Sequence, residues 1–349
     1  MPGNLSWHPG SLMHTISTFG ELLSAAKSQY LIYDMGRRVQ PIDVMAFRQI
    51  EALTSPYPFP IQGHACFALV FWEHAATPFI WFLKLPLDEQ GLLNPAGRSQ
   101  FIEMLLDAMG TDLKQELTEA QQQRLASHPF SYRPAPEKLA LFNALVRRQL
   151  GQAASSQYEY ACQYLSGKVS RDQWQAVGLQ GLADICARAE LLDHPEMLLS
   201  AIDSAAMEVQ IALCQLLEHM TISPQLAQHI TQSLSLRDSA IQPFFIRALA
   251  SQPQHCASAI MTIAAQQNLS QECLLAVAAR CWLVLKQAPC RKIFLESLAL
   301  QTQDFFNRIF ADIVAIPAIR PLLLGELRNP DRSVQLSAAI GGLFRNTQQ

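Results

Sequence analysis

The chain has 349 residues, half of them hydrophobic, and its 26 basic and 29 acidic side chains leave a net charge of −3. That length and apolarity exclude a chain dominated by disorder and leave room for more than one folded body. So small a net charge supplies no general attraction to nucleic acid or to an anionic membrane, and neither is the expected partner.

Met1–Ser17 carries no Lys or Arg and lacks the continuous apolar core of a secretory signal, so a cytoplasmic protein is expected. The first ninety residues read differently from the rest. Helical spacing over Ile16–Lys27, Val44–Leu53 and Arg98–Met109 alternates with three stretches rich in aromatic and β-branched residues, Tyr30–Val39, Ala65–Glu73 and Phe79–Leu85. The last two strands, joined by His74–Pro78, are expected to form an antiparallel hairpin. Phe67, Leu69 and Phe71 fall on one side of it and Ala68, Val70 and Trp72 on the other, so both sides need cover. Ala65–Leu87 is the most apolar stretch, but Glu73, His74, Pro78 and Lys84 interrupt it, whereas a spanning helix needs about 20 nearly uncharged residues. No membrane span is expected.

Three prolines in Ser127–Glu137 forbid a continuous helix and mark a boundary. The expected organisation is an α+β domain over 1–128 with a three-stranded antiparallel sheet, a proline-rich linker over 129–136, and an all-α domain over 137–349. Helical patterns repeat in that last part. Apolar anchors with partners four and eight residues later recur at Trp174, Val209, Ile241, Leu274, Phe305 and Val334. Each anchor follows a candidate N-cap: Ser170, Ser204, Asp238, Ser270, Thr302 and Asp331. The intervening helices over Pro224–Leu236, Pro253–Ala265, Pro289–Leu300 and Pro317–Leu327 open on proline, which is pre-organised for a first turn. Small residues such as Gly181 and Gly341, seven past their anchors, predict closely approaching helices.

Residues 171–349 resemble divergent HEAT-type repeats, with Asp331, Val334 and Ala338 nearest the pattern and Gln175, Gln210, Gln242 and Gln335 standing where such repeats carry Arg. The resemblance implies a HEAT-like solenoid. The whole chain also resembles an uncharacterised bacterial family described as a domain of unknown function, through LIYDMGRRVQPID (31–43) and ALVFWEHAATPFIWFLKLPLDEQGLL (68–93). That resemblance implies no activity.

No phosphate-binding glycine loop, nucleophile elbow or zinc-protease helix occurs in the sequence, so neither a catalytic residue nor a cofactor is assigned. His64, Cys66 and His74 are too few for a closed metal site. Asp88, Glu89 and Asp34 offer carboxylates for acid–base work only if the fold brings them together. The eight cysteines show no framework spacing and read as reduced core residues. Candidate partner-binding residues are Arg37 and Arg38 after Gly36, Trp72 and Trp81 in the aromatic hairpin, and Arg291 and Lys292.

Charge is uneven along the helical part, with 3 basic and 9 acidic residues in 171–238 and 10 and 6 in 239–349. A protein-interaction or scaffold role, with a protein partner held on a helical-repeat surface, is the leading expectation. The alternatives are nucleic-acid binding, if Arg247, Arg280, Arg291, Lys292, Arg308 and Arg320 line one face, and an enzyme of unrecognised type in the N-terminal domain.

Overall fold

The computed structural model describes residues 16–73, 77–109, 118–191 and 194–346, so the hairpin connection at His74–Ala76 lies outside the described residues. The chain falls into two compact units. The first takes residues up to Gly36 and Pro41–Arg133, while the second takes Arg37–Gln40 together with Pro134 onward.

In the first unit, α1 (Phe19–Ala25) precedes β1 (Gln29–Asp34), β2 (Gln40–Ile42), α2 (Val44–Glu51), β3 (His64–Trp72), β4 (Phe79–Pro86), α3 (Pro95–Met109) and α4 (Glu119–Ala126). The sheet has four strands rather than the expected three, in the order β2-β1-β3-β4. The Tyr30–Val39 expectation was too long at its end. Asp34 Oδ1 accepts the Gly36 N–H at 3.2 Å, a turn that stops the strand, and a Cβ on Gly36 would lie 2.9 Å from the Ile61 side chain. The short β2 went unseen because Pro41 argues against a strand interior; it sits in an edge strand, where a missing donor is tolerated.

Strands β1 and β3 pair antiparallel from Gln29 opposite Trp72 to Asp34 opposite Phe67, and β3 pairs with β4 from His64 opposite Pro86 to Phe71 opposite Phe79. One side of β3 places Ala65, Phe67 and Leu69 in a core with Phe19 and Leu22 of α1, Phe47 and Ile50 of α2, and Phe101, Ile102 and Leu105 of α3. Cys66, Ala68 and Val70 on the other side are buried too. Part of the proline-rich stretch joins the sheet edge: Lys84 N–H donates to Phe130 O at 2.8 Å and Tyr132 N–H to Phe82 O at 3.0 Å. The Glu51 carboxylate accepts the Phe19 and Gly20 N–H groups at 2.7 and 3.0 Å, meeting the exposed donors at the start of α1.

The second unit holds α5 (Pro136–Gln149), α6 (Tyr158–Leu165), α7 (Leu179–Ala187), α8 (His194–Ser204), α9 (Met207–Leu217), α10 (Pro224–Leu234), α11 (Gln242–Ala248), α12 (Pro253–Ala264), α13 (Gln271–Ala279), α14 (Ala288–Ala299), α15 (Gln303–Val314), α16 (Arg320–Glu326) and α17 (Val334–Asn346). Two 3₁₀ turns, Arg171–Ala176 and Trp282–Lys286, lie among them. The packing makes two rows. One runs α5, α7, α9, α11, α13, α15, α17, each helix against the next, and the other runs α6, α8, α10, α12, α14.

The anchor pattern found the helices but not always their faces. Val209, Leu213 and Leu217 are buried along α9 as expected. In α17 Leu336, Ala339, Ile340 and Gly342 are buried, whereas Val334 is 82% exposed and Ala338 is exposed, so two of the three expected positions were out of phase. Trp174 lies in a 3₁₀ turn ahead of α7. Of the expected caps, Ser270 and Thr302 accept N–H bonds from Cys273 and Phe305 at 3.2 and 3.4 Å. Ser204 instead ends α8, and Ser333 rather than Asp331 accepts the Leu336 N–H, at 3.0 Å. Gly181 does mark a close approach, since a Cβ there would meet Gln157 O at 2.4 Å, but Gly341 faces open space.

All eight cysteines are free and all but Cys162 are buried. Burial pushes the Cys186 thiol up to about 12 and the Cys214 thiol higher still.

Candidate functional site

A cluster of buried charges lies within the second unit, where the short segment Arg37–Gln40 meets the C-terminal ends of helices in the odd-numbered row. The last carbonyls of a helix have no intrahelical donor and carry the negative end of its dipole, so cations belong there. Arg37 is fully buried; its Nη1 donates to Ala278 O near the end of α13 at 2.9 Å, and its Nη2 to Asp312 O and Oδ2 near the end of α15 at 3.1 and 2.9 Å. Arg38 Nε donates to Glu218 O, the C-cap of α9, at 2.7 Å. Both arginines, named from sequence as candidates for binding a partner, are buried, and Arg37 also lies 5.8 Å over the Trp282 ring.

Glu218 is the hub. Its carboxylate, 1% exposed, accepts Arg280 Nε on Oε1 at 2.6 Å and Arg247 Nε on Oε2. Burial alone raises such a carboxyl, but the adjoining His219 ring and the two guanidiniums outweigh burial and hold it well below its ordinary range. His219 is buried as well. Its Nδ1 accepts the Val39 N–H at 3.1 Å, which places the ring proton on Nε2, and Nε2 lies 3.1 Å from Glu218 Oε1 outside hydrogen-bond geometry. Burial lowers the imidazole to about 4 against the pull of Glu218, so the ring is neutral at pH 7.

Beside this hub, α11 and α13 enclose a cavity of about 290 Å³ lined by Phe244, Arg247, Glu272, Leu275 and Arg280, with small apolar residues between them. Among the described residues, Arg247 has no protein partner for its two η-nitrogens, and Arg280 engages only Nη1, with Ala279 O at 3.3 Å.

The other candidates lie elsewhere. Trp72 and Trp81 are half-buried in the first unit, where Trp81 packs on Phe71 at 4.5 Å and lines a cavity of about 480 Å³ with Phe101 and Tyr132. Arg291 is buried on α14; its Nε donates to Glu326 at 2.7 Å and its Nη1 to Leu285 O and Lys286 O at 2.9 and 3.2 Å. Lys292 beside it is exposed. The six basic residues named for nucleic acid are largely paired with carboxylates: Arg247 and Arg280 with Glu218, Arg291 with Glu326, and exposed Arg308 with Asp304 at 3.0 Å. His64 Nδ1 lies 2.8 Å from Gln62 O, Cys66 is buried, and His74 is outside the described residues.

Sequence reading missed Glu218, His219 and Asp312. A signal for Glu218 was present, because it continues the buried face of Gln210 and Cys214 at spacings of four. Arg247 and Arg280 carry another. Each stands six residues after its anchor, Ile241 or Leu274, so they hold one position in successive units.

A family model described as a protein of unknown function, DUF3549, matches residues 14–344. The chain belongs to this DUF3549 family. No curated protein and no solved structure matches it. The DUF3549 match takes in both compact units, and so includes the Arg37–Gln40 segment as well as the helices that hold it.

Proposed function

We propose that the chain is a non-enzymatic protein-interaction module, in which residues 134–349 form a HEAT-like solenoid that holds an extended segment of a cytoplasmic partner protein. The carrying observation is the seating of Arg37–Gln40. The odd-numbered row holds a short stretch of backbone by accepting arginine donors on helix-end carbonyls and a main-chain N–H on His219. The two rows, each helix packed on the next, repeat helix ends along their length, and this repetition supports a seat for a second segment.

The test is affinity capture by the immobilised full chain, followed by direct titration of each captured protein in purified form. A saturable one-to-one complex with a defined protein segment is expected. Binding confined to double-stranded DNA, weakening steeply between two salt concentrations, would replace this reading with nucleic-acid recognition.

A further inference from the structure

The cavity between α11 and α13 differs from the rest of the buried charge network in one respect: its cations are fixed but not satisfied. Arg247 and Arg280 are each tied at Nε to the buried Glu218 carboxylate, which sets the planes of both guanidiniums. Their side chains are only 23% and 16% exposed, yet among the described residues three of their four η-nitrogens meet no protein acceptor. A guanidinium held in place with open donors is pre-organised for a carboxylate or phosphate oxygen. The Phe244 ring, 5.6 Å from the Arg247 guanidinium, and Leu275, 44% exposed, supply an apolar wall beside the donors.

Charge decides between the two anions. Two guanidiniums, those of Arg247 and Arg280, line the cavity, and both share the one Glu218 carboxylate. Exposed Glu272 also lines it and repels a doubly charged anion more than a singly charged one. A carboxylate is therefore favoured over a phosphate, which carries nearly two negative charges. At about 290 Å³ the space lies at the lower limit for small-molecule sites, which run from roughly 300 to 1,000 Å³, and suits one side chain.

We propose that this cavity is a carboxylate-binding pocket that takes a Glu or Asp side chain of an extended partner segment, with an apolar neighbour of that residue lying against Phe244 and Leu275. The assignment rests on the interaction reading above and names the chemistry the partner must present.

The experiment titrates the full chain with the blocked peptide acetyl-Ala-Leu-Glu-Leu-Ala-amide and with the same peptide carrying Gln in place of Glu, and includes inorganic phosphate as a competitor. The Glu peptide is expected to bind at least about tenfold more tightly than the Gln peptide, and phosphate to compete weakly. Leu275→Glu places a carboxylate at the mouth without touching the buried cluster and abolishes binding, while Leu275→Gln, of similar bulk, loses only the apolar contact and weakens binding by no more than about tenfold. Glu272→Gln removes the competing rim charge and tightens binding by about threefold. Equal binding of the two peptides, equal behaviour of the two Leu275 variants, or phosphate binding more tightly than the Glu peptide overturns the assignment. A partner that is captured by the full chain and binds the Leu275→Glu variant unchanged would sink the pocket and leave the interaction reading standing.

Discussion

Replacing Glu218 by Gln keeps the shape of the side chain and removes the charge on which two guanidiniums converge. Two charge-assisted hydrogen bonds, each of roughly 1.5–3 kcal/mol, give way to one neutral bond to the amide oxygen, with the amide NH₂ turned toward a guanidinium. Breaking a buried pair by removing one partner costs about 3–5 kcal/mol, and the surviving bond puts the substitution near the lower end, about 3 kcal/mol. For a cooperative unit of this size, where 1 kcal/mol moves the midpoint by about 2–4 °C, the thermal midpoint falls by about 6–12 °C. Calorimetry at pH 7 measures this directly. The pH dependence adds a second reading. Because the folded carboxyl is held below its ordinary range, its contribution is complete above about pH 4.3 and is lost as the pH falls through the folded value, so wild type and variant converge only in acid. A loss at pH 7 below about 1 kcal/mol, the range of exposed ion pairs, would refute the hub argument.

The neutral, buried His219 adds a second loss of stability in acid, at higher pH. Its folded value of about 4 lies below the usual 6.5, so the unfolded chain takes up the proton first and stability declines from about pH 6.5 toward 4. His219→Gln, which keeps an acceptor for Val39, is expected to flatten that limb in acid denaturation curves, and an unchanged limb would assign it elsewhere. Gly181→Ala drives a methyl group into the Gln157 carbonyl and is expected to cost about 1–3 kcal/mol by chemical denaturation. Gly341→Ala, in open space on α17, is instead expected to stabilise by a few tenths to about 1 kcal/mol. In the folded protein a thiol reagent is expected to label at most Cys162 within minutes and all eight cysteines after unfolding, since burial raises the remaining thiols that shift; rapid labelling of Cys214 would contradict the packing.

The elements that sequence made legible are those fixed by local chemistry. Proline at the first turn of α10 and α12 and hydroxyl caps at Ser270 and Thr302 act within a few residues, and their helices begin where expected. The β3–β4 hairpin was legible for a similar reason, because its aromatic alternation is satisfied by the adjoining strand. What stayed hidden depends on partners remote in sequence. Nothing near Arg37 in the chain announces that Asp312 will take its guanidinium, and nothing near Glu218 announces Arg280. The charge gradient along the helical part had a partly internal meaning, since acidic Glu218 draws on arginines from the basic stretch. The last anchor failed because Val334 matched the spacing of a repeat while the burial of α17 turns on Leu336 and Ile340.

The hydrogen bond from Arg37 to Asp312 joins residues 275 positions apart, and this sets an order of events during synthesis. At about 5–20 residues per second, roughly 14–55 seconds separate the making of the arginine from the making of its acceptor. For most of that interval β1 and β3 can pair, but the stretch immediately after β1 has no seat. Docking of the arginine pair is therefore a late step on the ribosome, completed only when the far end of the helical rows has emerged.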